Sequence, residues 1–142
     1  MFKWVHEYSI EVDIPIQKVW EFSTSPGLWH VWNDEYETFH HEGNLKSGSV
    51  IKAKVKNANI EIPFNVTTLT PYEECTIFVK VPFFSQEVVC TFKEISTNRT
   101  GITFRILIKS WFVLFMKSYL NKTVNNRYSI YFDSLMNSQC VE

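Results

Sequence analysis

The stretch from Val113 to Leu135 constrains this chain more than any other. Val113, Met116, Leu120, Val124, Tyr128, Tyr131 and Leu135 recur at helical spacing. Lys117, Ser118, Asn121, Lys122, Asn125, Asn126, Ser129 and Asp133 fill the opposite face. A helix with one apolar stripe has to lay it on another apolar surface. What precedes it is built on a period of two. Tyr8, Ile10 and Val12 alternate with Ser9, Glu11 and Asp13, the pattern of a half-buried strand. Ile51, Ala53 and Val55 alternate with Lys52, Lys54 and Lys56, and Asn57-Ala58 marks a tight turn before a strand of Ile60, Ile62, Phe64, Val66 and Thr68. Further strands are expected over Cys75–Val81, Glu87–Ile95 and Ile102–Ile108, with Pro82–Gln86 and Thr97–Gly101 between them. Pro63 removes one ladder donor and implies an edge or a bulge.

Between the first strand and this run, Pro15 suits a first helical turn, with Asp13 close enough to compensate its orphan amides. Ile16, Val19 and Trp20 form the inner stripe of that helix, and Ser25-Pro26-Gly27 ends it. A second short helix carries Leu28, Trp29 and Trp32. The expected fold is α+β: a curved antiparallel sheet wrapped around the long C-terminal helix, with two short helices after the first strand. Residues 1–142 read as one domain, without repeat, linker or low-complexity segment.

Charge narrows the partners. The 14 basic and 15 acidic residues are interspersed, so no basic stripe for nucleic acid forms. Three cysteines, Cys75, Cys90 and Cys140, have no metal-type spacing. No leader-like segment opens the chain, so the sequons at Asn65, Asn98 and Asn121 carry no weight. The apolar run Trp111–Met116 is far below the ~18–20 residues of a membrane span. A reduced, cytoplasmic protein without metal or cofactor is expected.

The order of these pieces resembles the SRPBCC superfamily (START-like, or Bet v 1-like), especially its polyketide cyclase/lipid-transport branch. The matching residues are Pro15, Val19, Trp20 and Phe22, then Trp29 and Trp32. Gly43, Leu45, Gly48 and Ser49 follow between two strands, then the meander, Gly101 before the last strand, and the final helix. The resemblance implies a helix-grip fold holding lipids, polyketides or other apolar molecules between sheet and helix. It does not carry over a particular ligand.

On that fold, inward parity selects the residues facing a cavity. From the start of the sheet these are Trp32, Tyr36 and His40, and from the next two strands Ile51, Ala53, Phe64 and Val66. Val79, Cys90, Phe92, Phe104 and Ile106 follow from the later strands, and Met116, Leu120 and Val124 from the helix. Such a wall is almost wholly apolar, which suits a ligand pocket and an ordinary core equally. Tyr36 and His40 share the parity of Trp32 and are the one ionisable pair that could serve as donor and base. His40 beside the Gly43 turn also fits the wet end of a strand. His41, adjacent, faces the other way, so the two cannot grip one metal. The acids Asp34, Glu35 and Glu37 read as a solvated strand start.

In an up-and-down meander, alternate turns gather at one end of the sheet. Phe83, Phe84, Trp111 and Phe112 all fall at one such end, where turns normally carry polar residues. They either cap the core or rim an entrance that admits ligand or touches a membrane or protein. The leading function is a carrier or sensor that binds a hydrophobic small molecule. A polyketide cyclase/dehydratase-like enzyme using Tyr36 and His40 is the alternative, and a protein-interaction module of cochaperone type is a third.

Overall fold

The computed structural model describes residues 2–140, with side chains described through Ser138. In chain order the elements are β1 (Phe2–Val12), α1 (Ile16–Ser23), a 3-10 helix (Pro26–Val31), β2 (Tyr36–His40), β3 (Val50–Val55), β4 (Glu61–Thr70), β5 (Glu74–Val81), β6 (Phe84–Ser96), β7 (Arg99–Ser110) and α2 (Val113–Cys140). The strands form one antiparallel sheet in the order β1-β7-β6-β5-β4-β3-β2. Successive strands of the meander are neighbours, and β1 closes the far edge by pairing along its whole length with β7. The sheet curves around α2, which is the helix-grip arrangement expected from the sequence.

Periodicity explains which side of each strand is buried. Trp4 and Val12 on β1, Ile51 and Ala53 on β3, Cys90 and Phe92 on β6, and Ile102, Ile106 and Ile108 on β7 are all buried at period two. On α2 the stripe Val113, Leu120, Val124, Tyr128, Tyr131 and Leu135 is buried as the spacing requires.

Several local expectations are corrected. Pro15 caps α1 from outside rather than opening its first turn, and Lys18 N–H and Val19 N–H donate to its carbonyl. Asp13 does not cap that helix: its Oδ1 accepts from Arg99 Nη1 at 2.7 Å, and the same guanidinium reaches Glu11, tying the β7 start to the β1 end. The β5–β6 connection is only Pro82-Phe83, because Val81 and Phe84 already pair. Gly101 lies within β7, opposite Glu11 and Lys93. Pro63 is neither at an outer edge nor at the bulge, which falls between Val66 and Thr68. Val66 N–H points to Ser49, so by alternation the even residues of β4 bond β3 and Pro63 turns the other way. On that side β5 pairs only from Asn65 onward, so the missing donor leaves no ladder bond broken.

The core has three parts. Residues at the end of β1 and on α1, β6 and β7 pack around Tyr131 and Leu135. Trp4, Ile106 and Ile108 pack with Val113, Leu120, Val124 and Tyr128. Trp29 and Phe39 pack with the inner faces of β3, β4 and β5. Thus α2 covers the β1–β7 side of the sheet while the 3-10 helix covers the β2 side. The strip of sheet between these two covers carries the candidate site.

Candidate ligand cavity

A cavity of about 100 Å³ lies where neither helix fully covers the strip of β4, β5 and β6 between them. Its floor is Phe64 from β4, Cys75, Ile77 and Val79 from β5, Val88, Cys90 and Phe92 from β6, and Phe104 and Ile106 from β7. Its roof is Trp29 and Trp32 on one side and Tyr128 and Tyr131 of α2 on the other. The rings interlock: Tyr131 meets Phe104 edge-on at 5.0 Å and Trp32 at 5.2 Å, and Tyr128 stacks on Tyr8 at 4.3 Å. Such edge and offset contacts hold aromatic walls rigid without filling the space between them.

Few polar groups reach this space. Ser23 Oγ and the Tyr131 hydroxyl lie 2.6 Å apart and join α1 to α2. Asn33 Nδ2 donates to the Trp29 carbonyl at 2.9 Å. Gln86 lines one end from β6. Arg127 donates to Glu35 Oε1 at 2.6 Å, linking α2 to the segment before β2, and keeps 17% of its side chain in solvent. It therefore marks the solvent side of the cavity.

The Tyr128 hydroxyl differs from all of these. It is buried and has no hydrogen-bond partner among the described residues. His6 Nδ1 is the other such atom, in a ring stacked 5.7 Å from Tyr128. A buried hydroxyl without a partner is costly, on the order of 1–3 kcal/mol, and calls for an explanation. Burial pushes the Tyr128 and Tyr131 phenols well above their ordinary 10.0, so both remain neutral donors at physiological pH. Burial likewise raises the Cys75 thiol to about 12, and the Cys90 thiol well above its ordinary value. Both are inert apolar wall rather than nucleophiles.

Of the residues selected by parity, Trp32, Phe64, Val79, Cys90, Phe92, Phe104 and Ile106 line the cavity. Ile51, Ala53 and Val66 are buried in the cluster beneath Trp29 and do not reach it. Leu120 and Val124 lie in the packed cluster on β1 and β7, with Met116 against it, because the N-terminal half of α2 sits down on that side of the sheet. Tyr36 is half-buried against Phe39 and Phe64, at 5.1 and 5.3 Å, rather than in the cavity. His40 is on the outer face with 69% of its side chain exposed, near Glu42. The reason is a register shift between Tyr36 and Thr38, which inverts the parity so that Phe39 points inward. Tyr36 and His40 therefore lie on opposite faces of the strand.

The four end aromatics do not border the cavity either. Phe84 folds back against the core, while Phe83, Trp111 and Phe112 are exposed. Conversely, Ser23, Trp29, Asn33, Cys75, Ile77, Gln86, Val88, Arg127, Tyr128 and Tyr131 line the cavity and were not selected. Gln86 would follow from extending the period of Val88, Cys90 and Phe92 by one step. Arg127 would follow from its place between Val124 and Tyr131 on the helical stripe.

No protein-family model matches the sequence, and no curated protein matches it. Solved structures do. A START superfamily protein from Mycobacterium smegmatis superposes with a TM-score of 0.73 at 10% identity, covering 94% of this chain and 97% of that one. The Zhui aromatase/cyclase from Streptomyces sp. R1128 gives 0.72 at 11% identity, covering 96% and 93%. Norcoclaurine synthase from Thalictrum flavum, in complex with dopamine and hydroxybenzaldehyde, gives 0.68 at 10% identity, covering 96% and 88%. The chain thus has the helix-grip fold of START-like and Bet v 1-like proteins, in agreement with the resemblance read from its sequence. Identity this low establishes the fold and leaves function to be argued from the cavity.

Proposed function

We propose that this protein binds a small hydrophobic molecule between its sheet and C-terminal helix, as a carrier or sensor in the cytoplasm. The observation that carries this reading is the aromatic-walled cavity, with Tyr128, whose buried hydroxyl has no partner among the described residues, in its wall. A cavity lined this way repels water but accepts rings, and Tyr128, with the few polar side chains at its edges, can orient them. Size selects among apolar guests. At about 100 Å³ the space suits at most one aromatic ring, whereas a larger ring system or a long acyl chain would need its walls to separate. The aromatase/cyclase and the synthase complexed with dopamine and hydroxybenzaldehyde make ring-shaped guests a natural class for this fold.

The test is native mass spectrometry of the purified protein, followed by titration with a panel of one- and two-ring aromatic compounds. Binding of phenolic or carbonyl-bearing rings is expected. Tyr128→Phe should weaken it by ~0.5–1.5 kcal/mol, the value of one hydrogen bond, while making the unliganded fold more stable, because it removes a buried hydroxyl that has no partner there. Absence of any co-purified compound, together with no binding across the panel, would remove the reading.

A further inference from the structure

The end of the molecule where β5 turns into β6 and β7 runs into α2 carries apolar surface that neither the core nor the cavity uses. Phe2 and Phe84 both stand opposite Ser110, so Phe83, which precedes Phe84, and Trp111, which follows Ser110, leave the sheet side by side. The Phe2 and Trp111 rings meet edge-on at 6.4 Å. Phe112, just before α2, and Phe115 and Tyr119 on its first turns are exposed as well, with Leu114 beside them. Phe115 is 87% exposed and Phe83 68%. At about 200 Å² for a fully exposed large side chain, the patch offers on the order of 800 Å² of side-chain surface, beyond what a monomer usually leaves to water.

Two further observations say what covers it. Phe83 has φ +64°, in a turn position that favours glycine or asparagine, and it gains no burial for that strain. The chain also segregates charge here, although the protein as a whole has net charge −1. From Ile106 to Phe132 it carries Lys109, Lys117, Lys122 and Arg127 and no acidic residue. Lys3 pairs in register with Lys109 on the same end of the sheet, and Lys117 and Lys122 are exposed on the turns of α2 that carry Phe115 and Tyr119. Exposed aromatics ringed by lysines match an interface of apolar chains beneath negative headgroups. Among the described residues no helix is long and apolar enough to cross a membrane, so the contact is with a surface.

We infer that this end of the protein docks on anionic lipid bilayers, inserting Phe83, Trp111, Phe112 and Phe115 among the headgroups. The inference does not depend on what the cavity holds. Vesicle flotation tests it, with phosphatidylcholine alone and with phosphatidylcholine and phosphatidylglycerol in equal parts. The full chain should float with the mixed vesicles, less at high salt, and far less with neutral ones. Lys117→Gln and Lys122→Gln should each weaken partitioning roughly fivefold. Phe112→Ser with Phe115→Ser should weaken it at least tenfold. These side chains are exposed, so the variants should melt with the wild type, which confirms that they fold. Equal flotation with both vesicle types, no flotation, or unaltered flotation of the Phe112/Phe115 variant overturns the inference. So does a concentration-dependent dimer that the same variant abolishes, which would make a second copy of the chain the occupant.

Discussion

The same substitution at two buried valines separates free space from packed core. Val88 faces the cavity from β6, between Ile77 and Ile106, whereas Val124 is 3% exposed among Trp4, Ile106, Ile108, Leu120 and Tyr128. Filling a cavity recovers about 24 cal/mol per Å³, so about 100 Å³ sets a ceiling near ~2.4 kcal/mol on what any side chain can gain there. Phenylalanine at position 88 occupies part of that volume, so Val88→Phe should range from neutral to a gain of ~1 kcal/mol. At position 124 no volume is free, and Val124→Phe should cost ~1–3 kcal/mol through displaced rotamers and backbone. For a domain of this size 1 kcal/mol corresponds to roughly 3–5 °C, so the melting temperatures should differ by about 10 °C. Thermal denaturation followed by far-UV circular dichroism reads this, and an apolar fluorescent probe supplies the second observable. Val88→Phe should keep its melting temperature and lose the probe. Val124→Phe should melt early but bind the probe while folded. Equal destabilisation of the two variants would mean that the space beneath Tyr128 is filled in solution, and the proposed function would fall with it.

Ser23→Ala should cost ~1–3 kcal/mol by leaving the buried Tyr131 hydroxyl without its partner, and Tyr131→Phe should remove most of that cost in the double variant. Because burial holds the Tyr131 phenol above 10.0, the folded state keeps a proton that the unfolded state releases. Stability should therefore fall as pH rises beyond about 10, and less steeply in Tyr131→Phe; parallel denaturant midpoints for the two proteins across that range would refute the assignment. Iodoacetamide at pH 8 should label Cys75 and Cys90 slowly in the native protein and rapidly in urea, as read by peptide mass spectrometry, since both thiols are buried and protonated there. Glu35→Gln should change stability by less than ~1 kcal/mol, because Glu35 is partly solvated. It should still speed ligand exchange in stopped-flow measurements by freeing Arg127 at the cavity's solvent side. Unchanged rates would place the entrance elsewhere.

Periodicity determined the elements of the architecture. Alternation at Tyr8–Val12 and Ile51–Val55, and the stripe from Val113 to Leu135, follow from the 2.0 and 3.6 repeats of strand and helix. Each repeat demands an apolar partner surface, so the long single-striped helix had to lie on the strands, and the grip arrangement is what the family resemblance implied. Val79, Cys90, Phe92, Phe104 and Ile106, which face the cavity from β5, β6 and β7, were legible in the same way. What lies above them was decided in three dimensions. One register shift between Tyr36 and Thr38 sends His40 to solvent, and bulges leave no mark in a pattern of single residues. Phe83 and Phe84 are neighbours of one type, yet the turn exposes one and packs the other partly against the core. Arg127 meets Glu35 across 92 positions, a contact that exists only once α2 has crossed the sheet. Above all, parity states which way a side chain points but not whether anything stands opposite. Leu120 and Val124 share a stripe with Tyr128 and Tyr131, yet only the latter pair borders free space, because α2 rests on β1 and β7 and leaves the strip of β5 and β6 open. Empty volume is a property of how elements pack, and no local repeat encodes it.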